Sequence, residues 1–267
     1  MRRVVSAHID VRVHADTALE FQIAVARRPG IELAETLRFE LDGRGVLARE
    51  ISGSHGTRIH VLGARAGELR VRYRAVVSGT ATPEPITDYD LALYLRPSRF
   101  AESDRLLGFA AAEFGLGIGD SGTADRVAEW VGTRIRYVTG SSGPSDGAVE
   151  TLLGGAGVCR DFSHLVVALL RAVGVPARVA AVYAPGCVPM DFHSIAEAYV
   201  DGRWLALDPT GLAPRSTMVR IATGRDASDI AFLDNHGGDI TVDGLRVDAS
   251  VDGALPWDDR GRTVVLG

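Results

Sequence analysis

The stretch GVCRDFSHLVVALL, residues 157–170, sets the reading of the whole chain. The run before it, LLGGAG, is rich in helix breakers. Phe162, Leu165, Val166, Leu169, Leu170 and Val173 then recur at helical spacing until Gly174 and Pro176 stop the helix. Cys159 therefore stands at a helix N-terminus, where unpaired backbone N–H groups and the positive end of the helix dipole favour a thiolate. It also falls on the apolar stripe, seven residues before Val166, and so points into the domain. A buried structural cysteine is the commoner fate of a free thiol. The rest of the chain has to supply partners before Cys159 reads as a nucleophile.

At 267 residues the chain is long enough for a substantial core, as one large domain or two small ones. Hydrophobic residues at 46% and charged residues at 24% fit a soluble globular protein. No apolar run approaches the roughly 20 residues that span a bilayer, and MRRVVSAHIDVRV passes from two arginines straight into strand-like alternation. The expectation is a cytoplasmic protein. A net charge of -5 gives no electrostatic footprint for nucleic acid or an anionic membrane, so neither is expected as a partner. Two cysteines make no disulfide framework, in keeping with a reducing compartment. All 29 basic residues are arginine, so the chain has no side-chain primary amine of its own.

The first 80 or so residues read as β structure. HIDVRVHA, TLRFELDG, VLAREISG, TRIHVLGA and ELRVRYRAVVSG are short alternating runs split by Gly, Asp and Ser, the pattern of an antiparallel sandwich or barrel. A Pro-rich segment, TATPEPITDY, places a boundary between residues 80 and 100, and the expected domains are 1–90 and 91–267. Helices are predicted over Ser103 to Phe114, Thr123 to Ile135, near Ala148 and from Cys159. ARVAAVYA, HSIAEAYV, RWLALD, MVRIAT and DITVDGLRVDASV then read as a sheet packed against the Cys159 helix, an α+β arrangement.

A nucleophilic cysteine needs a base, and the base needs a group to orient it. His164 lies about 140° around the helix from Cys159 and cannot serve. His193 is better placed, in MDFHSIAEAYVDGRWLALDPTG, two strand-like runs joined by the hairpin dipeptide Asp201-Gly202. A two-residue turn there pairs Tyr199 with Trp204 and makes Asp208 a diagonal neighbour of His193 on the same face. One more loop residue would reverse the parity. Cys187, in the loop APGCVPM, reads as an ordinary loop residue, with a disulfide or a metal site shared with Cys159 and His193 as lesser alternatives.

GVCRDFSHLVVALLRAVGVPARV followed by DFHSIAEAYVDGRWLALDPTG resembles the bacterial branch of the transglutaminase-like cysteine enzyme superfamily. The likeness covers roughly residues 96 to 225. It implies a papain-like transglutaminase core behind an N-terminal antiparallel β-sandwich. Cys159 would be the nucleophile, His193 the base and Asp208 its orienter, with no cofactor and no metal. The implied reaction is acyl transfer from an amide of a peptide or protein substrate through a thioester. Hydrolysis, as in a cysteine peptidase or amidase, is favoured over transamidation, because water needs no dedicated amine site. A non-catalytic peptide-binding scaffold is a third reading, and the intact set of three residues argues against it. The Cys159 backbone N–H is a natural oxyanion donor. The second donor is not identified by sequence, although Trp130 and Tyr137 lie upstream of Cys159. The family often has an aromatic residue where this chain has Ile195.

Overall fold

The computed structural model describes residues 1–115, 121–259 and 261–267. Arg3–Val13 buries every second residue: Val5, Ala7, Ile9, Val11 and Val13 are all at most 3% exposed. That alternation gives it one buried face, and it pairs on both sides within a five-stranded antiparallel sheet, ordered Ile240–Val251, Arg3–Val13, Gly67–Gly79, Ile31–Leu41, Arg44–Val46. A second sheet runs Leu233–His236, Thr17–Phe21, Arg58–Ala64, Arg49–Ser52. Phe21 of one sheet meets Phe39 of the other at 5.4 Å between ring centroids, and their inner faces share one apolar cluster. This is the N-terminal β-sandwich that the alternating runs predicted.

The segment 240–251 departs from expectation. It was predicted beside the Cys159 helix, and it instead pairs antiparallel with Arg3–Val13 along the whole strand, from Arg3 opposite Val251 to Val13 opposite Ile240. Alternation tells which face of a strand is buried; it is silent on which sheet edge the strand completes.

The third sheet is ordered Arg203–Leu207, Phe192–Val200, Ala177–Tyr183, Val219–Gly224, all antiparallel. The helix Cys159–Ala172 packs on it, chiefly against Phe192–Val200. The apolar stripe predicted one buried face. In fact every residue from Asp161 to Ala172 is buried, because Leu107–Phe114, Ser121–Arg134 and Ala148–Gly154 cover the sides turned away from the sheet. Its polar residues accordingly find internal partners. Arg171, buried, donates to the carbonyls of Ala177, Arg96 and Arg225.

A charge network joins the third sheet to the N-terminal half. Glu197, fully buried, accepts from Arg178 Nε at 2.8 Å and Arg220 Nη1 at 2.9 Å, and the Arg178 guanidinium lies 4.1 Å over the Trp204 ring. Beside it Glu84, in the Pro-rich segment, pairs with His55 at 2.9 Å and Arg28 at 3.3 Å. Burial alone would raise the Glu197 carboxyl, but the two arginines outweigh it and hold the group far below the usual carboxylate range.

Candidate active site

The site begins at a short parallel pairing. Arg136–Tyr137 runs beside Ala156–Gly157, with Val138 N–H donating to the Gly157 carbonyl at 3.0 Å. Gly157 lets the chain enter the helix closely: a Cβ there would lie 2.6 Å from Asp161 Cβ. Asp161 then caps the helix, accepting from Val158 N–H at 2.8 Å and from Ser142 Oγ at 2.9 Å. Cys159 is thereby fixed as the first helical residue, half-buried, at the place its motif predicted.

The hairpin forms with the predicted register. Asp201 and Gly202 both have positive φ, at 49° and 80°, as a two-residue turn of the primed type requires. Tyr199 stands opposite Trp204, and their rings lie 5.4 Å apart. His193 Nε2 and Asp208 Oδ2 come to 2.8 Å, each side chain 1% exposed. The second carboxylate oxygen accepts from Thr210 N–H at 3.0 Å and Thr210 Oγ1 at 2.6 Å. With Nε2 engaged by Asp208, the other ring nitrogen is free to face Cys159, whose thiol is near enough to act electrostatically on the imidazole. The helix and the histidine strand are also tied directly, since Ser163 Oγ bonds both the Cys159 carbonyl at 2.9 Å and Ser194 Oγ at 3.1 Å.

Burial disfavours a charged imidazole, yet the Asp208 carboxylate and the Cys159 thiol together hold His193 well above the ordinary histidine value. Asp208 shows the complement. Burial pushes it up, while His193 and Thr210 pull it below the usual range.

The remaining candidates separate cleanly. His164 is buried, stacked on Phe100 at 5.4 Å, and its Nε2 accepts from Ala227 N–H at 3.0 Å; burial pushes it down to about 3, so it is a neutral structural histidine. Trp130 packs on Phe109 and Phe114 and donates Nε1–H to Glu113 at 2.9 Å. Ile195 is wholly buried in a small cluster with Ala180, Val182 and Cys187. Cys187 lies closer to the chemistry than its sequence context indicated. Its buried thiol donates to the Pro189 carbonyl at 3.4 Å, feels the charges of His193 and Cys159, and is raised by burial. Both thiols are free, and among the described residues no group of three or more His, Cys, Asp or Glu side chains could hold a metal ion. Asp161 and Thr210 fix the cysteine and the aspartate; their sequence signals are an acidic residue three after the helix cap and a threonine two after Asp208.

The family model of the transglutaminase-like superfamily matches residues 116–209, a span that contains Cys159, His193 and Asp208. A crystal structure of a "Putative Cysteine Protease" from Cytophaga hutchinsonii superposes with a TM-score of 0.87 at 30% identity, over 97% of this chain and 94% of that one. Uncharacterized proteins of Mycobacterium leprae and Mycobacterium tuberculosis are 28% identical over 118 residues and 30% identical over 193 residues. These alignments take in 40% and 57% of this chain, and the chain spans 41% and 60% of those proteins' lengths. The chain belongs to the transglutaminase-like superfamily, a class of thiol-dependent enzymes. Among the described residues no helix is long and apolar enough to cross a membrane.

Proposed function

We propose that this chain is a cysteine peptidase or amidase whose nucleophile is Cys159, with His193 as base and Asp208 as its orienter. The observation that carries the reading is the buried 2.8 Å contact of His193 with Asp208, on a ring that also feels the thiol at the helix start. In the first step His193 holds the thiol proton while sulfur attacks the amide carbon, and the C=O electron pair moves onto oxygen. Collapse of that adduct restores the carbonyl and breaks the C–N bond, and the leaving amine takes the proton from His193. Water, deprotonated by the same ring, then adds to the thioester carbon and releases acid and thiol. Asp208 keeps the ring oriented throughout and stabilises its protonated form.

Family membership supports a thiol-dependent acyl transfer, and the resemblance to the Cytophaga hutchinsonii protein favours hydrolysis. Water reaches the thioester at about 55 M, so an amine competes only if a dedicated site raises its effective concentration. With no lysine in the chain, and Gln22 its only glutamine, transamidation would have to act on other proteins. The test incubates wild type and Cys159→Ala with general and glutamine-containing peptide libraries plus a labelled primary amine. Hydrolysed product from wild type alone is expected. Predominantly amine-tagged product at millimolar amine overturns hydrolysis in favour of a transglutaminase, and intact turnover by Cys159→Ala overturns the nucleophile.

A further inference from the structure

We propose that the Tyr137 hydroxyl is the second oxyanion donor of this site, converging with the Cys159 backbone N–H on the oxygen of the bound carbonyl. The inference rests on the reading of Cys159 as the nucleophile.

Three contacts fix the side chain. Tyr137 is the register partner of Gly157, two residues before the cysteine, so the parallel pairing carries its Cα to the helix entrance. Its ring packs against Phe162 in the first turn of the helix, 5.9 Å between centroids. Its hydroxyl lies near the Cys159 backbone N–H and within the electrostatic reach of both thiols and of Asp191. The ring is 41% exposed, so an incoming carbonyl can approach it.

A phenylalanine would serve the packing on Phe162 equally well; only the hydroxyl can donate to an incoming oxygen. Burial pushes that hydroxyl up to about 12, the charge of Cys159 adding to the effect, so it stays an O–H donor throughout the neutral range. A carbonyl oxygen entering beside the sulfur comes between the Cys159 N–H and the Tyr137 hydroxyl. The N–H meets the new oxygen, and the hydroxyl hydrogen rotates to it. Two donors then meet the charge where it develops, the geometry that oxyanion stabilisation requires. Among the described upstream groups, Trp130 Nε1–H is taken by Glu113 and Ser142 Oγ by Asp161.

The test compares Tyr137→Phe with wild type using two reagents on the same thiol. p-Nitrophenyl acetate acylates through a tetrahedral oxyanion; iodoacetamide alkylates by displacement at carbon and forms none. Tyr137→Phe is expected to lower the acylation rate about 10²–10³-fold, the usual loss for one oxyanion donor, and to leave alkylation of Cys159 unchanged. Unchanged alkylation also shows that the variant is folded around its cysteine. Equal acylation by the two proteins overturns the proposal, as does a parallel fall in both rates, which would place Tyr137 on the thiol rather than on the oxygen. Failure of wild-type Cys159 to acylate, with alkylation no faster than at Cys187, overturns the nucleophile reading instead and the proposal with it.

Discussion

His193→Ala is expected to lower the rate of Cys159 acylation by p-nitrophenyl acetate about 10²–10⁴-fold near neutral pH, the range that a positioned acid–base group contributes. Asp208 and Cys159 hold the ring well above the ordinary histidine value, so it is suited to accept the thiol proton, and once protonated it faces the sulfur as a cation. Alanine removes the proton acceptor and the counter-charge together. Alkylation of Cys159 by iodoacetamide should therefore slow as well, unlike the outcome for Tyr137→Phe. Because the variant also leaves Asp208 buried without its main partner, His193→Gln, which retains a hydrogen-bond donor but cannot titrate, serves as the control for folding. Acylation within about threefold of wild type in both variants would remove His193 from the reaction; the accompanying pH–rate profiles would identify the group acting in its place.

The second large effect lies at the far end of the same strand. Glu197→Gln is expected to destabilise the fold by about 3–5 kcal/mol, because it leaves the buried Arg178 and Arg220 guanidinium groups without their shared carboxylate. For a chain of this size that corresponds to a fall in Tm of roughly 10 °C. The pH dependence has a definite sign. The folded-state value of Glu197 is depressed, so its stabilisation is fully present above the unfolded carboxylate value, about 4.3, and is lost as pH falls toward the folded one. The gap in stability between wild type and Glu197→Gln should accordingly narrow below about pH 4.3. Denaturant unfolding at pH 7 and about pH 3 measures both quantities. A gap under about 1 kcal/mol at pH 7 would mean that water or a rearranged Glu84 compensates the arginines.

Much of the site was legible in sequence because it rests on local rules. The break LLGGAG followed by helical periodicity places Cys159, and the Asp-Gly dipeptide sets a register that carries Asp208 to His193 over 15 residues. What escaped has no local signature. Glu197 sits in a strand buried on both faces, where alternation disappears and a charged residue reads as pointing outward. Its partners come from two other strands. Tyr137 is legible only as an aromatic upstream of Cys159, because its two-residue strand is too short for any periodicity. Likewise the segment 240–251 has a clear strand pattern, but the edge it completes belongs to the first strand of the chain, more than 220 residues away.

The central claim is that Cys159, and no other group, forms the thioester. It is tested most directly by intact-mass and peptide-mapping analysis after brief exposure to p-nitrophenyl acetate at neutral pH. The account predicts a single acetyl adduct on Cys159, released by hydroxylamine and absent from Cys159→Ala, with Cys187 unmodified because its thiol is buried and raised by that burial. An adduct on Cys187, or one that persists in Cys159→Ala, would contradict it.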